Sequence, residues 1–220
     1  MIGQMIDDKK VIIDRIPRSW SYPHVVNYKN RWRFYIRTSA GKHPMDIDEV
    51  REKMFQSNSI SKKIYQFRDQ RLDLVKGGEY PIKSICDSLI VLHLMPFSSF
   101  YPSENDYINF DIVPENYYNI PPLYSGISYN RYNLEGYINF GSIREDGSCA
   151  GYVQIFRNGI FEGVNSSMLC HPDYSDNRCF IPSALVEREL VEKLGRYLAY
   201  QKAMGVIPPI VLFLSFININ

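Results

Sequence analysis

The spacing of apolar positions changes several times along the chain, and each change predicts an element. "VIIDRIP" (Val11–Pro17) is a β-branched run stopped by Pro17 and predicts a strand. In "RWRFYIR", Trp32, Phe34 and Ile36 alternate with Arg31, Arg33, Tyr35 and Arg37. A period of two predicts a strand with one buried face and one cationic face. In "SAGKHPMDIDEV", Asp46 and Glu49 have the spacing of a capping box, and Met45 and Val50 that of a hydrophobic staple. The Gly41-Lys42 turn therefore leads into a short capped helix, "MDIDEVREKMF". A second helix is expected from an N-cap at Ser59, with Ile60, Ile64, Phe67, Arg71 and Leu74 at helical spacing and Gly77-Gly78 as its end. Its outer face carries Lys62, Lys63, Arg68 and Lys76.

"SLIVLHLMPF" reads as a buried strand halted by Pro96, and residues 98–130, rich in Tyr, Pro, Asn and Ser, as an irregular connection. That connection is long for a compact domain. From Tyr132 to Val164 the pattern is an antiparallel meander, with turn signals at Asp146-Gly147 and Asn158-Gly159. A long helix follows Pro182. Val186, Leu190, Leu194, Tyr197 and Leu198 line one side, and the pairs Glu189–Lys193 and Glu192–Arg196 are expected on the exposed side. Pro208-Pro209 ends it, and "IVLFLSF" is a last strand. This order of elements predicts an α+β fold with an antiparallel sheet. No internal repeat is visible.

Composition narrows the class. With 220 residues, 45% hydrophobic and 22% charged, the chain is globular and long enough to bury a sizeable core. The net charge of +1 decides nothing, but its distribution is uneven. Eight basic residues lie between Lys9 and Arg37 against Asp14 alone, whereas Ser84–Asn130 holds no Lys or Arg and five acids. The four cysteines form no paired framework, which predicts reduced thiols and a cytoplasmic protein. The start carries acids where a signal peptide needs an apolar run. The longest apolar run, Ile210 to Leu214 with Phe216 and Ile217 after Ser215, is far short of a membrane span, so no membrane partner is expected.

Chemical motifs are sparse. A phosphate-binding loop would need Gly at Ile36 and Ser or Thr at His43, so Gly41-Lys42 is read as a turn, with Lys42 a single charge within reach of a phosphate. Cys149, Cys170, His171 and Cys179 lack the close pairs of a structural zinc site. His93, inside an apolar strand, is read as a hydrogen-bonded core histidine, although a Cys86–His93 nucleophile pair stays open. Glu187 and Glu189 are read as a solvated helix face. No catalytic residue, metal or cofactor is singled out. The strongest signal is the basic N-terminal region, which interleaves cations with Trp20, Tyr22, Tyr28, Trp32 and Tyr35. Cations neutralise backbone phosphates and exposed rings stack on unpaired bases. Arg18, Trp20, Arg31, Arg33, Tyr35, Arg37 and Lys42 are therefore the candidate contacts to DNA or RNA. A solvated cationic strand beside an ordinary aromatic core is the competing reading.

At "IPRSWSYPHVVNYKNRWRFYIRTSAGKHPMDIDEV" the chain resembles the last part of the Schlafen AlbA-type domain, a DNA-binding domain of bacterial proteins often labelled ATP-binding. Pro17–Ser19, Pro23-His24, "RFYIR" and "SAGKHPMD" carry the resemblance. Downstream, "YQFRDQRL", "LIVLHLMPF", "RYNLEGYINF", "YVQIFRNGIFE" and "ERELVEKLGRYL" look like the C-terminal region of the same proteins. The resemblance implies a partial AlbA-like segment at 1–56, an α+β C-terminal domain at 57–220, and a nucleic acid as partner. The family's upstream Glu-Lys signature and the acidic metal-binding residues of its nuclease members have no counterpart here, which implies a remnant truncated at both ends. The expectation is a non-catalytic nucleic-acid-binding module of a bacterial regulatory or defence protein. The alternatives are a protein-interaction or sensor domain, and a fragment of a nuclease or ATP-binding enzyme without its catalytic part. Self-association is also expected, because a truncated domain leaves "VIIDRIP" or "RWRFYIR" with an unpaired edge and "IVLFLSF" is apolar and uncharged.

Overall fold

A computed structural model describes residues 2–6, 9–13, 19, 22–100, 108–169 and 181–219. The fold is α+β, with helices and antiparallel sheets. Contacts divide the chain into two compact units, Met1–Ser59 and Ile60–Asn220.

In the first unit, β1 (Ile2–Ile6) pairs antiparallel with β2 (Lys9–Ile13). The remainder of "VIIDRIP" lies outside the described residues. A second sheet has the order β3–β4–β5, formed by Val25–Tyr28, Arg31–Thr38 and Gly41–Pro44. "RWRFYIR" is thus the central strand, not an edge. The flanking strands escape periodicity because each is four residues long. Turns define them instead: Lys29 and Asn30 both adopt positive φ, the conformation of a two-residue hairpin turn, and Ser39-Ala40 closes the second hairpin. Gly41-Lys42 therefore belongs to a strand rather than to a turn feeding a helix. Asp46 does cap the helix that follows. Its Oδ1 accepts the Glu49 N–H at 2.8 Å, and Glu49 Oε2 accepts the Asp46 N–H at 2.9 Å.

The helix α1 is continuous from Ile47 to Lys76. Two helices separated at Ser59 were expected. Ser59 does not cap, because its hydroxyl donates back to the Gln56 carbonyl at 2.8 Å, and no Gly or Pro interrupts the stretch. Gly78 ends α1 at a φ of +77°, with the Gly78 N–H donating to Val75 and the Glu79 N–H to Leu74.

The second unit is built on a six-stranded antiparallel sheet. Its strands are β6 (Leu89–Pro96), β7 (Tyr129–Tyr132), β8 (Gly136–Phe140), β9 (Gly151–Phe156), β10 (Phe161–Asn165) and β11 (Ile210–Ile217), in the order β11–β6–β10–β9–β8–β7. The predicted meander is β8–β9–β10, and Asn158-Gly159 turns β9 into β10. Strand alternation feeds two cores. Leu89, Val91, Ile138, Tyr152 and Val164 pack with Leu72 and Val75 of α1 on one face. Ile90, Leu92, Leu94, Val153 and Phe161 pack with Val186, Tyr197 and Tyr200 of the helix described next. At ~25 cal/mol per Å² these two apolar layers supply the main stabilisation of the unit.

The connection read as irregular contains a short α2 (Ile112–Glu115), two 3-10 turns and β7. Side chains satisfy several of its carbonyls, since they have no ladder of their own. Asn139 donates to Tyr117 and Ile120, Asn165 to Leu123, and the Tyr197 hydroxyl to Pro121.

The helix α3 (Ser183–Ala203) buries Val186 and Tyr197 as expected, but Leu198 is exposed and Glu189 and Lys193 are buried. Glu189 Oε2 accepts the Tyr124 N–H at 2.9 Å, which explains a carboxylate under the connection. Glu187 is exposed, and Glu192–Arg196 forms the surface pair at 3.2 Å. Among the described residues, no helix is long and apolar enough to cross a membrane.

Candidate nucleic-acid interface and a buried carboxylate cluster

The three-stranded sheet sorts side chains by the two-residue period. Arg31, Arg33, Tyr35 and Arg37 share a face, and their partners across the strands are Tyr28, Val26, Pro44 and Lys42. Four cations thus line one face. Arg31, Arg33, Arg37 and Lys42 are exposed, and none pairs with a carboxylate among the described residues. Arg37 and Lys42 are directly opposed, an arrangement that repels unless an anion lies between them. The Lys42 ammonium sits over the Tyr35 ring at 4.2 Å from its centroid, so that ring is half-buried and covered. Tyr28 is 68% exposed at the edge of the same face, with Lys29 beside it at 5.4 Å.

The opposite face departs from expectation. Phe34 and Ile36 are half-buried, but Trp32 is 68% exposed. Beside the second half of β4, Met45 donates its N–H to the Phe34 carbonyl. The neighbouring β3 is exposed at all four positions. An open cleft of about 410 Å³ lies there, lined by Trp32, Phe34, Met45 and Val50 among others. Arg18 and Trp20 lie outside the described residues.

The second unit holds a cluster that no sequence motif announces. Glu162 of β10 is fully buried and faces Arg71 of α1, which donates to both its oxygens at 2.8 and 2.9 Å. His93, opposite it on β6, lies at 3.1 Å through Nε2, and the Tyr152 hydroxyl donates at 3.2 Å. The remaining Arg71 nitrogen donates to Glu135 at 2.8 Å. Burial alone raises the Glu162 pKa, but the hydrogen bonds and charges of Arg71 and His93 outweigh it and lower the pKa to about 2. Burial likewise opposes the Arg71 charge, and Glu162 and Glu135 reverse that effect and raise its pKa. Burial next to Glu162 pushes the Tyr152 hydroxyl well up. A signal for the cluster existed. Arg71, His93 and Glu162 are charged or polar residues on stripes that are otherwise apolar.

Arg71 and Glu135 also line an open cleft of about 410 Å³ with Tyr80, Arg131 and Asn133. The Glu162 carboxylate is sealed beneath the arginine, so it meets no molecule in that cleft. Its role is to hold α1 to the sheet. Cys86 and His93 form no nucleophile pair, because His93 is buried and engaged with Glu162. Among the described residues, no group of three or more His, Cys, Asp or Glu is placed to hold a metal. Cys170, His171 and Cys179 lie outside them. No family model, curated protein or solved structure matches the chain.

Proposed function

We propose that the protein binds nucleic acid, without catalysis, through the cationic face of the β3–β4–β5 sheet. One observation carries the reading: Arg31, Arg33, Arg37 and Lys42 gather on one exposed face, unpaired with any carboxylate among the described residues. Such a face is an anion site of repeating geometry, and a phosphate backbone supplies repeating anions. Exposed Tyr28 offers a ring to an unpaired base at its edge. The resemblance to the Schlafen AlbA-type segment supports the same reading, as does a cytoplasmic setting for the free Cys86 and Cys149 thiols.

A salt titration of binding to a duplex and to a single strand tests it. Four neutralised phosphates give a slope of log K against log salt of about −3 to −4. Replacing Arg31, Arg33 and Arg37 together by Ala flattens that slope. A slope near zero, or unchanged binding by the triple variant, defeats the proposal.

A second reading has its own observation. Val25 and Trp32 are exposed on the face opposite the cations, as a protein contact would require. Heparin separates the two. It competes with a nucleic acid for the arginines, whereas a protein contact is instead lost on Trp32→Ala.

A further inference from the structure

We infer that β11 is the interface of a two-fold dimer, in which a second copy of this chain continues the six-stranded sheet across its β11 edge. The two ends of the sheet differ in kind. β7 is four residues long, exposed throughout, and carries Arg131. Short and charged edges of that sort resist pairing. β11 is eight residues long and pairs with β6 at every position from Ile210 to Ile217 without a bulge. It has no charge, Gly or Pro, and its other side has no strand neighbour among the described residues. The strand itself carries none of the usual protections of an edge: it is not short, charged, bulged or broken by Pro.

The occupant follows from the same residues. An antiparallel mate of identical sequence meets no like charge, because β11 has no charge to oppose. A foreign strand selected by charge has nothing here to read. Half-exposed Leu212 and Phe216, which share a strand face, gain cover from the mate. On the other face Tyr65 of α1 is 52% exposed and stacks edge-on against Phe213 at 5.4 Å. Arg68 lies 4.9 Å from the same ring, but its charge is met by Asp69 at 2.6 Å, so two copies approach without opposing bare cations. The two-fold axis uses one β11 from each copy, and β7 does not extend the sheet, so association stops at two.

Sedimentation of the intact chain at ~100 µM, a concentration at which weak, small interfaces assemble, should show a dimer. Leu212→Lys should weaken it at least tenfold, with the circular dichroism of the fold unchanged. If that variant fails to fold, hydrogen exchange of the parent decides. The β11 amides should become more protected as concentration rises. A monomer at that concentration, a dimer indifferent to Leu212→Lys, open-ended growth, or exchange independent of concentration overturns the inference.

Discussion

Glu162 carries the sharpest consequences of any single residue. Removing its charge while keeping its shape, as in Glu162→Gln, leaves the buried Arg71 guanidinium with Glu135 alone. Breaking one side of a buried pair costs about 3–5 kcal/mol, which urea unfolding should register. Glu135→Gln is the internal contrast. Its carboxylate is 42% exposed, so its loss should cost about 1 kcal/mol or less. The pH dependence follows from the same cluster. The folded Glu162 pKa of about 2 is below its ordinary 4.5, so the folded state binds its proton less readily than the unfolded chain does. The stabilisation is therefore complete above pH ~4.5 and is lost as pH falls through 4.5 towards 2. At ~1.4 kcal/mol per pKa unit it amounts to about 3 kcal/mol. Unfolding curves at pH 7 and pH 2.5 should show this loss in the parent and a smaller one in Glu162→Gln. Equal losses in the two would mean that other carboxylates dominate.

At the scale of elements, legibility follows how local the cause is. The Asp46–Glu49 capping box needs residues three apart, and it forms as read. Asp46→Ala should cost about 1 kcal/mol. In a double-mutant cycle with Glu49→Ala the two losses should fall short of additive, because the two hydrogen bonds are reciprocal; simple additivity would show that the box does not act as a unit. Gly77-Gly78 was likewise readable as a helix end, since only a left-handed residue closes that motif without strain. Elements set by distant partners were not readable. Ser59 has the composition of a cap, yet its hydroxyl finds a partner inside a helix that continues. Glu189 and Lys193 have the spacing of a surface pair, yet the Tyr124 amide draws Glu189 under a loop sixty-five residues away. The alternation in "RWRFYIR" gave the strand and the common face of its arginines. It did not show that Trp32 is left uncovered, because cover depends on β3 and on the start of α1. Arg71, His93 and Glu162 each broke an apolar stripe, but only the sheet register brings them together.

At the scale of the whole molecule, burial and the proposed function belong to different units. Among the residues whose burial is described, every buried one lies at or beyond Ile60, and both apolar clusters are contained within the second unit. The cationic face lies wholly within Met1–Ser59, where residues 22–56 are half-buried or exposed. Cooperative unfolding tracks the buried apolar surface, so the transition of the intact chain reports on the second unit. A fragment of residues 60–220 should accordingly fold, with near-ultraviolet dichroism and a single urea transition at the midpoint of the intact chain. It retains Glu162, Arg71, His93 and Tyr152, so its acid sensitivity between pH 4.5 and 2 should also survive. Nucleic-acid binding should be absent from it, because Arg31, Arg33, Arg37 and Lys42 are gone. The two measurements fail independently. A fragment that does not fold would show that the two clusters are insufficient without residues 1–59. A folded fragment that still binds nucleic acid with the salt slope of the intact chain would move the interface off the β3–β4–β5 sheet and onto the second unit.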